Sequence, residues 1–321
     1  MSAVTREEAW DELTLSPEEY RRASTRYRRR VSSKGYLFLL PYFIPFLAFL
    51  VVPVFWSLWL SFNQGGLLDS AKFVGFKNWQ EIASDSQLTI SIENTAKYVV
   101  TAIFLVFTLA LFLALLLNRY RRGNSIFKLA LYVPLLAPLV LVGLIWQFIA
   151  NYDFGLFNLI LTTVGIGRVN IFGSGTLALL LIVCAEVWRG LGFWTLYFLA
   201  SLQNIPEELI DAARVDGARG IQRFRRVTIP LLKPMLLFAI VLAIIANFQV
   251  FDTVYILTQG GPVQSTSTMV WFIWERLFQF QQTGQGYAAA VILLGIILFL
   301  TALSFWLLGS RDRRRRREAK V

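Results

Sequence analysis

The chain has 321 residues, 56% of them hydrophobic and only 16% charged, with a formal net charge of +11. Soluble domains carry about a quarter charged residues, and apolar runs of about 20 residues are long enough to cross a hydrocarbon core of about 30 Å as helices. A water-soluble globule is therefore excluded, and an all-α integral membrane protein is expected. The chain contains no histidine, which removes the commonest general base and metal ligand. Its single cysteine, Cys184, rules out an internal disulfide and reads as a small buried hydrophobe.

In chain order, residues 1–35 are polar. Ser16, Pro17 and Glu19 have the pattern of a helix start. A basic cluster follows, from Arg21 to Lys34, and reads as a solvated or lipid-attracted segment. The next apolar run is too long for a cleaved signal peptide and lacks its small-residue cleavage site. A first span is predicted at 36–62, with Pro41, Pro45 and Pro53 inside it. A polar loop at 63–93 leads to a second span at 94–117, with Asn94 or Thr95 as its cap. After a basic turn holding Arg119, Arg121, Arg122 and Lys128, a third span at 126–149 includes Pro134 and Pro138. A polar loop at 150–174 precedes a fourth span at 176–199, and spans five and six follow at 235–254 and 287–308. The expected organisation is an N-terminal segment at 1–35, a six-span domain at 36–310 and a basic tail at 311–321.

Charge orients these spans. Of the 31 Lys and Arg residues, eight lie in 1–35, four in 118–128, six in 200–234 and seven in 309–321. The intervening loops hold only Lys72, Lys77, Lys97, Arg168 and Arg276, and Arg189 alone sits well inside a span. The positive-inside rule then places both termini and the loop at 204–234 in the cytoplasm. The excess positive charge is a topology signal, and no nucleic-acid partner is implied.

The loop at 204–234 reads NIPEELIDAARVDGARGIQRFRRVTIPLLKP. Pro206 suits a first helical turn, and Glu207, Glu208 and Asp211 complement the positive end of the helix dipole. Ala212 and Ala213 leave a small-faced surface, and Gly217 supplies a left-handed stop. A second helix is expected at 221–228, closed by Pro230 and Pro234. Asp211-Ala212-Ala213, three residues, Gly217, nine residues and then Val227-Thr228-Ile229-Pro230 resembles the EAA loop of ABC-importer permeases. Asp stands for Glu, Val for Ile and Ile for Leu. The resemblance implies the MetI-like permease fold and a cytoplasmic coupling helix seated in a groove of a separate ATPase subunit. It assigns that contact to Glu208, Asp211, Ala212, Ala213, Asp216, Gly217 and Pro230.

A second stretch, Phe251-Asp252-Thr253-Val254-Tyr255-Ile256-Leu257-Thr258-Gln259-Gly260-Gly261-Pro262, is similar to the end of the fifth span in one permease of sugar importers. That group is the maltose- and glycerol-phosphate-type family, and the stretch matches the first of its two permease subunits. The resemblance extends over about 36–310 and includes 73–79, Asn94-Thr95, 151–158 and 287–290. It implies a bacterial plasma-membrane heterodimer with a second permease, a pair of ATPases at the cytoplasmic face that use ATP and Mg²⁺, and an extracytoplasmic sugar-binding protein. This chain itself would bind no cofactor and make or break no covalent bond, and it carries no phosphate-binding P-loop pattern.

A sugar path needs aromatic faces and hydrogen-bonding groups around a cavity. Asn247, Gln249, Phe251 and Asp252 on the fifth span and Glu186 and Trp188 on the fourth are the candidates. Asn247 and Phe251, four apart, are expected to share a face that Gln249 does not. Glu186 and Arg189, three apart, are placed to neutralise each other. Two alternatives stay open at this level. The polar residues are also suited to bonds between packed membrane helices, and an ion-coupled secondary transporter would need the same buried charges.

Overall fold

The computed structural model describes the backbone of residues 39–65, 72–119 and 124–318 and the side chains of 39–65, 72–119 and 125–307. The Ser16 helix start, the basic cluster at 21–34, Arg121, Arg122 and the side chains of the arginine run at 313–317 lie outside the described residues. The chain divides into two compact units between Trp56 and Ser57. Most of the first helix, α1 (Leu39–Leu60), belongs to the first unit. It widens into a π turn over Leu47–Val51, where the Val52 N–H reaches back to the Leu47 carbonyl. Pro53 follows at once, so the wider turn absorbs the donor that the proline lacks.

The second unit begins with structure where a polar loop was expected. A short antiparallel pair, β1 (Asn63–Gln64) and β2 (Lys72–Phe73), is followed by α2 (Lys77–Ala83). Buried Asn78 ties α2 to the chain leaving α1 by donating to the Ser61 and Asn63 carbonyls, 2.9 Å each.

The long helix α3 (Ser86–Arg119) starts eight residues before the predicted cap at Asn94. The Asp85 carboxylate accepts the Gln87 N–H at 2.9 Å and caps the helix there instead. Asn94 and Thr95 are interior and buried. Asn94 donates to the Gln264 and Ser267 carbonyls, and Thr95 accepts the Met269 N–H at 2.8 Å. Polar side chains buried this deeply need partners, and here the partners belong to a loop some 170 residues away in sequence.

The predicted third span is two helices. α4 (Asn124–Leu136) and α5 (Leu139–Ile149) meet at 98°. Pro138 forces extended geometry on the residue before it and stands at the start of α5 with ψ 139°. The loop after it contains α6 (Leu156–Thr163), held by buried Asn158, which bonds the Tyr152 and Val169 backbone.

α7 (Gly175–Gln203) packs along α3 and forms the centre of the unit. Ala102, Val106, Ala110 and Ala114 of α3 recur every four residues and are buried, the small-residue spacing that lets membrane helices approach closely. Next come α8 (Glu207–Val215), α9 (Gly220–Arg223), a π turn at Phe224–Thr228, and α10 (Ile229–Phe248). The prolines do not end a helix at 228 as expected. Pro230 and Pro234 lie inside a continuous run, because the π turn passes the Ile229 N–H to the Phe224 carbonyl just before the first of them. α11 (Asp252–Leu257), α12 (Met269–Trp274), a π turn at Glu275–Gln279 and α13 (Thr283–Glu318) complete the chain.

Among the described residues, five helices are long and apolar enough to cross a membrane, and the bent α4–α5 pair makes up to six.

Candidate functional site

Two places carry the predicted site residues. The first is a cavity of about 340 Å³ between α3, α7 and the junction of α10 with α11. α10 stops at Phe248 although no proline or glycine ends it. Gln249 (φ −97°, ψ 14°) and Phe251 (φ −139°, ψ −57°) leave helical geometry, and the helix resumes at Asp252. Tertiary bonds hold the break open. The Thr268 hydroxyl donates to the Val250 carbonyl, and the Thr253 hydroxyl donates to Glu186. Irregular backbone at membrane depth survives only where it is packed or lines a cavity, and discontinuous helices are where transporters place substrate.

Opposite the break, the Glu186 carboxylate accepts from the Arg189 guanidinium at 2.9 Å, with side-chain exposures of 13% and 27%. The pair forms as its spacing predicted. Asn247, Gln249, Phe251 and Asp252 also line the cavity. Gln249 therefore does not point elsewhere. Four-residue spacing sorts faces only on a continuous helix, and α10 has already ended at Phe248. Asn247 uses its amide N–H to reach the Ala243 carbonyl at 2.8 Å, which presents its side-chain oxygen as the acceptor. Among the described residues, Asp252 has no ion-pair partner.

Trp188 is a correction. It is not in the wall, and its ring meets Trp146 edge-on at 6.3 Å. Two residues on a helix are about 200° apart, so Glu186 and Trp188 face nearly opposite ways. Trp194, eight residues after Glu186 and on its face, supplies the aromatic wall instead, and that spacing was a readable signal. Tyr98 of α3 also lines the cavity and had none. Only the packing of α3 on α7 brings it there.

The second place is α8 and the turn after it. Pro206 stands one residue before the helix, Glu207 and Glu208 fill its first turn, and Asp211 pairs with Arg214 at 2.7 Å on the surface. Ala212 is exposed, but Ala213 is buried, so only one alanine of the pair is presented. Asp216, Gly217 and Pro230 are exposed. Gly217 has φ +76°, as its stop role requires, and nothing lies within 4 Å of where a Cβ would stand. Two exposed apolar residues were missed by motif reasoning: Val215 at 88% and Ile221 at 72%. They give this polar loop an apolar tip.

Comparison with known proteins settles the family. A model described as "binding-protein-dependent transport system inner membrane component" matches residues 106–317. The chain belongs to that family. It is a multi-pass membrane protein and a permease subunit of an ABC importer. The permease is 33% identical to the trehalose/maltose transport system permease protein MalF of Thermococcus litoralis, over 91% of this chain and 98% of that one. It is also 33% identical to the sn-glycerol-3-phosphate transport system permease protein UgpA of Brucella abortus, covering 83% and 94%. The fold matches a chain of a bacterial alginate ABC transporter in complex with alginate pentasaccharide-bound periplasmic protein, with a TM-score of 0.75 at 21% identity. That match covers 86% of this chain and 93% of the other.

Proposed function

We propose that this permease forms half of the import path for an uncharged saccharide and that the break at 249–251 is its binding wall. The observation that carries the reading is the composition of the cavity. Aromatic faces from Phe251 and Trp194, an amide oxygen from Asn247 and two carboxylates surround a volume suited to a small sugar. Relatives at this level of identity are named for neutral sugars and for a phosphate ester, and charge separates these classes. The guanidinium of Arg189 is spent on Glu186, while Asp252 adds negative charge. A phosphate or uronate would meet repulsion, and among the described residues lining the cavity no second cation offsets it.

The charge pattern supports a bacterial plasma-membrane orientation with the 1–35 segment, the 204–234 loop and the 311–321 tail in the cytoplasm. There α8 and the Val215–Ile221 tip would seat in a partner ATPase, one of a pair using ATP and Mg²⁺. A second permease would complete the path, and an extracytoplasmic sugar-binding protein would deliver the ligand. The subunit itself performs no catalysis and holds no cofactor. A proton-coupled carrier is disfavoured because the carboxylate of Glu186 is already engaged by Arg189 and Thr253.

Three measurements test this. Purified with its partners, the complex is expected to show ATPase stimulation by neutral sugars and none by sugar phosphates; stimulation by phosphates alone would refute the charge argument. Asn247→Ala removes one hydrogen bond and should lower sugar uptake about tenfold with assembly intact, while Asp252→Asn should admit anionic sugars that the wild type rejects. Gly217→Val, which strains the left-handed residue without creating a clash, should release the ATPase in a pull-down and stop uptake. Full retention of both would remove the loop from coupling.

A further inference from the structure

The stripe of α3 that meets the cavity is Tyr98, Ala102 and Val106, each about one turn from the next. Ala102 and Val106 offer only methyl groups, so Tyr98 is the one polar side chain that α3 brings to the wall among the described residues. Tyr98 is 1% exposed, and packing on all sides holds its ring in place. Its hydroxyl, however, makes no hydrogen bond to any described residue. Among those residues the side-chain atoms both sealed off and unpartnered are Arg276 Nε and Thr301 Oγ1. The Tyr98 oxygen is not one of them, so the little exposure the residue keeps includes its polar tip, which opens on the cavity it lines. Buried tyrosines ordinarily satisfy this group within the protein. A clamped ring with a free hydroxyl at a cavity wall is a hydrogen-bonding position left for a ligand.

We infer that Tyr98 is a specificity-determining residue of the import path, whose hydroxyl bonds one hydroxyl of the passing sugar and reads whether that group is present. This role rests on the carbohydrate reading above and gives α3 a share in recognition beside α7 and the α10–α11 break. The neighbouring groups leave it a distinct task. Glu186 already accepts from Arg189 and Thr253, and Asn247 spends its N–H on the Ala243 carbonyl. The Asn247 oxygen and the Asp252 carboxylate can then only accept, whereas a phenol hydroxyl both donates and accepts, as a sugar hydroxyl does. A site built to bond a hydroxyl rejects the analogue that lacks it, because the site's own polar group is then left unpaired. The fixed ring sharpens that choice. Little side-chain freedom is lost when the bond forms, and the oxygen cannot swing to follow a differently shaped ligand.

The test uses the assembled importer in vesicles with its partner subunits and binding protein. The probes are a panel of neutral mono- and disaccharides, followed by the singly deoxygenated analogues of whichever is carried best. Tyr98→Phe removes one oxygen and keeps the ring, so the packing of α3 on α7 is retained and assembly by size-exclusion chromatography should match the wild type. Uptake of the parent sugar is divided by uptake of each analogue, in wild type and variant alike. Both draw on the same binding protein, so its own preferences cancel in the comparison. For one analogue that ratio is expected to be about tenfold lower in Tyr98→Phe, the loss of one hydrogen bond, and for the others unchanged. Ratios that are the same in both proteins for every analogue overturn the inference. So does an equal loss of uptake for the parent and all analogues, or a failure to assemble, since either marks the hydroxyl as structural. If the wild type carries no member of the panel, the carbohydrate reading itself fails, and this inference fails with it.

Discussion

Glu186→Ala is expected to cost more than any other single change in the cavity. It strands Arg189 in the middle of α7, and an unpaired charge at membrane depth costs about 2.5–3.5 kcal/mol on insertion scales. Both side chains are mostly buried and two hydrogen bonds join them, 2.9 and 3.1 Å long, so the loss is not screened as a surface pair would be. The Thr253 hydroxyl also loses its acceptor, which loosens the start of α11 against α7. Yield of monodisperse protein by size-exclusion chromatography should fall sharply, and uptake should vanish. Glu186→Gln should assemble better than Glu186→Ala, because its amide oxygen still accepts from Arg189 while its amide N–H can donate to the Thr253 hydroxyl. The informative variant is Glu186→Ala with Arg189→Ala. Removing both charges should recover assembly, since no group is left unpaired. If uptake also recovers, the pair is only structural; if it stays absent, the pair belongs to the path.

Gly192→Val should abolish folding outright. A Cβ at position 192 would stand 2.0 Å from the Leu131 carbonyl oxygen and 2.9 Å from the Tyr132 Cα. Both obstacles are backbone, so no side-chain rotation relieves them, and α4 would have to leave α7. Overpacking a core costs about 1–3 kcal/mol when side chains can adjust, and here they cannot. Gly192→Ala should already show reduced thermal stability. Gly295→Ala is the control: nothing lies within 4 Å of its Cβ on α13, and alanine favours the helix by about 0.5–1 kcal/mol. Equal melting temperatures for Gly192→Val and wild type would show that α4 does not pack as described.

Close approach of this kind was invisible in the sequence, where Gly190, Gly192 and Gly295 look alike inside apolar runs. What decides between them is the neighbour, and the neighbour comes from another helix. The same reasoning separates Asn94 from a helix cap. A residue that ends a helix in isolation is instead bonded to the 264–269 loop, once α3 and that loop are packed together.

The sequence by itself determined what depends on composition and short-range geometry. Burial in hydrocarbon is favourable for any long apolar run, so five spans were legible in outline, and α8 with its left-handed Gly217 followed from helix capping alone. The Glu186–Arg189 pair was legible for the same reason, because residues three apart on a helix are neighbours whatever surrounds them. Tertiary structure decided the rest. The 98° bend between α4 and α5, the interruption at 249–251, the exclusion of Trp188 and the arrival of Tyr98 in the cavity all depend on contacts between distant segments. A backbone gives up regular hydrogen bonds at membrane depth only when another element supplies replacements, and no local pattern records which element that will be.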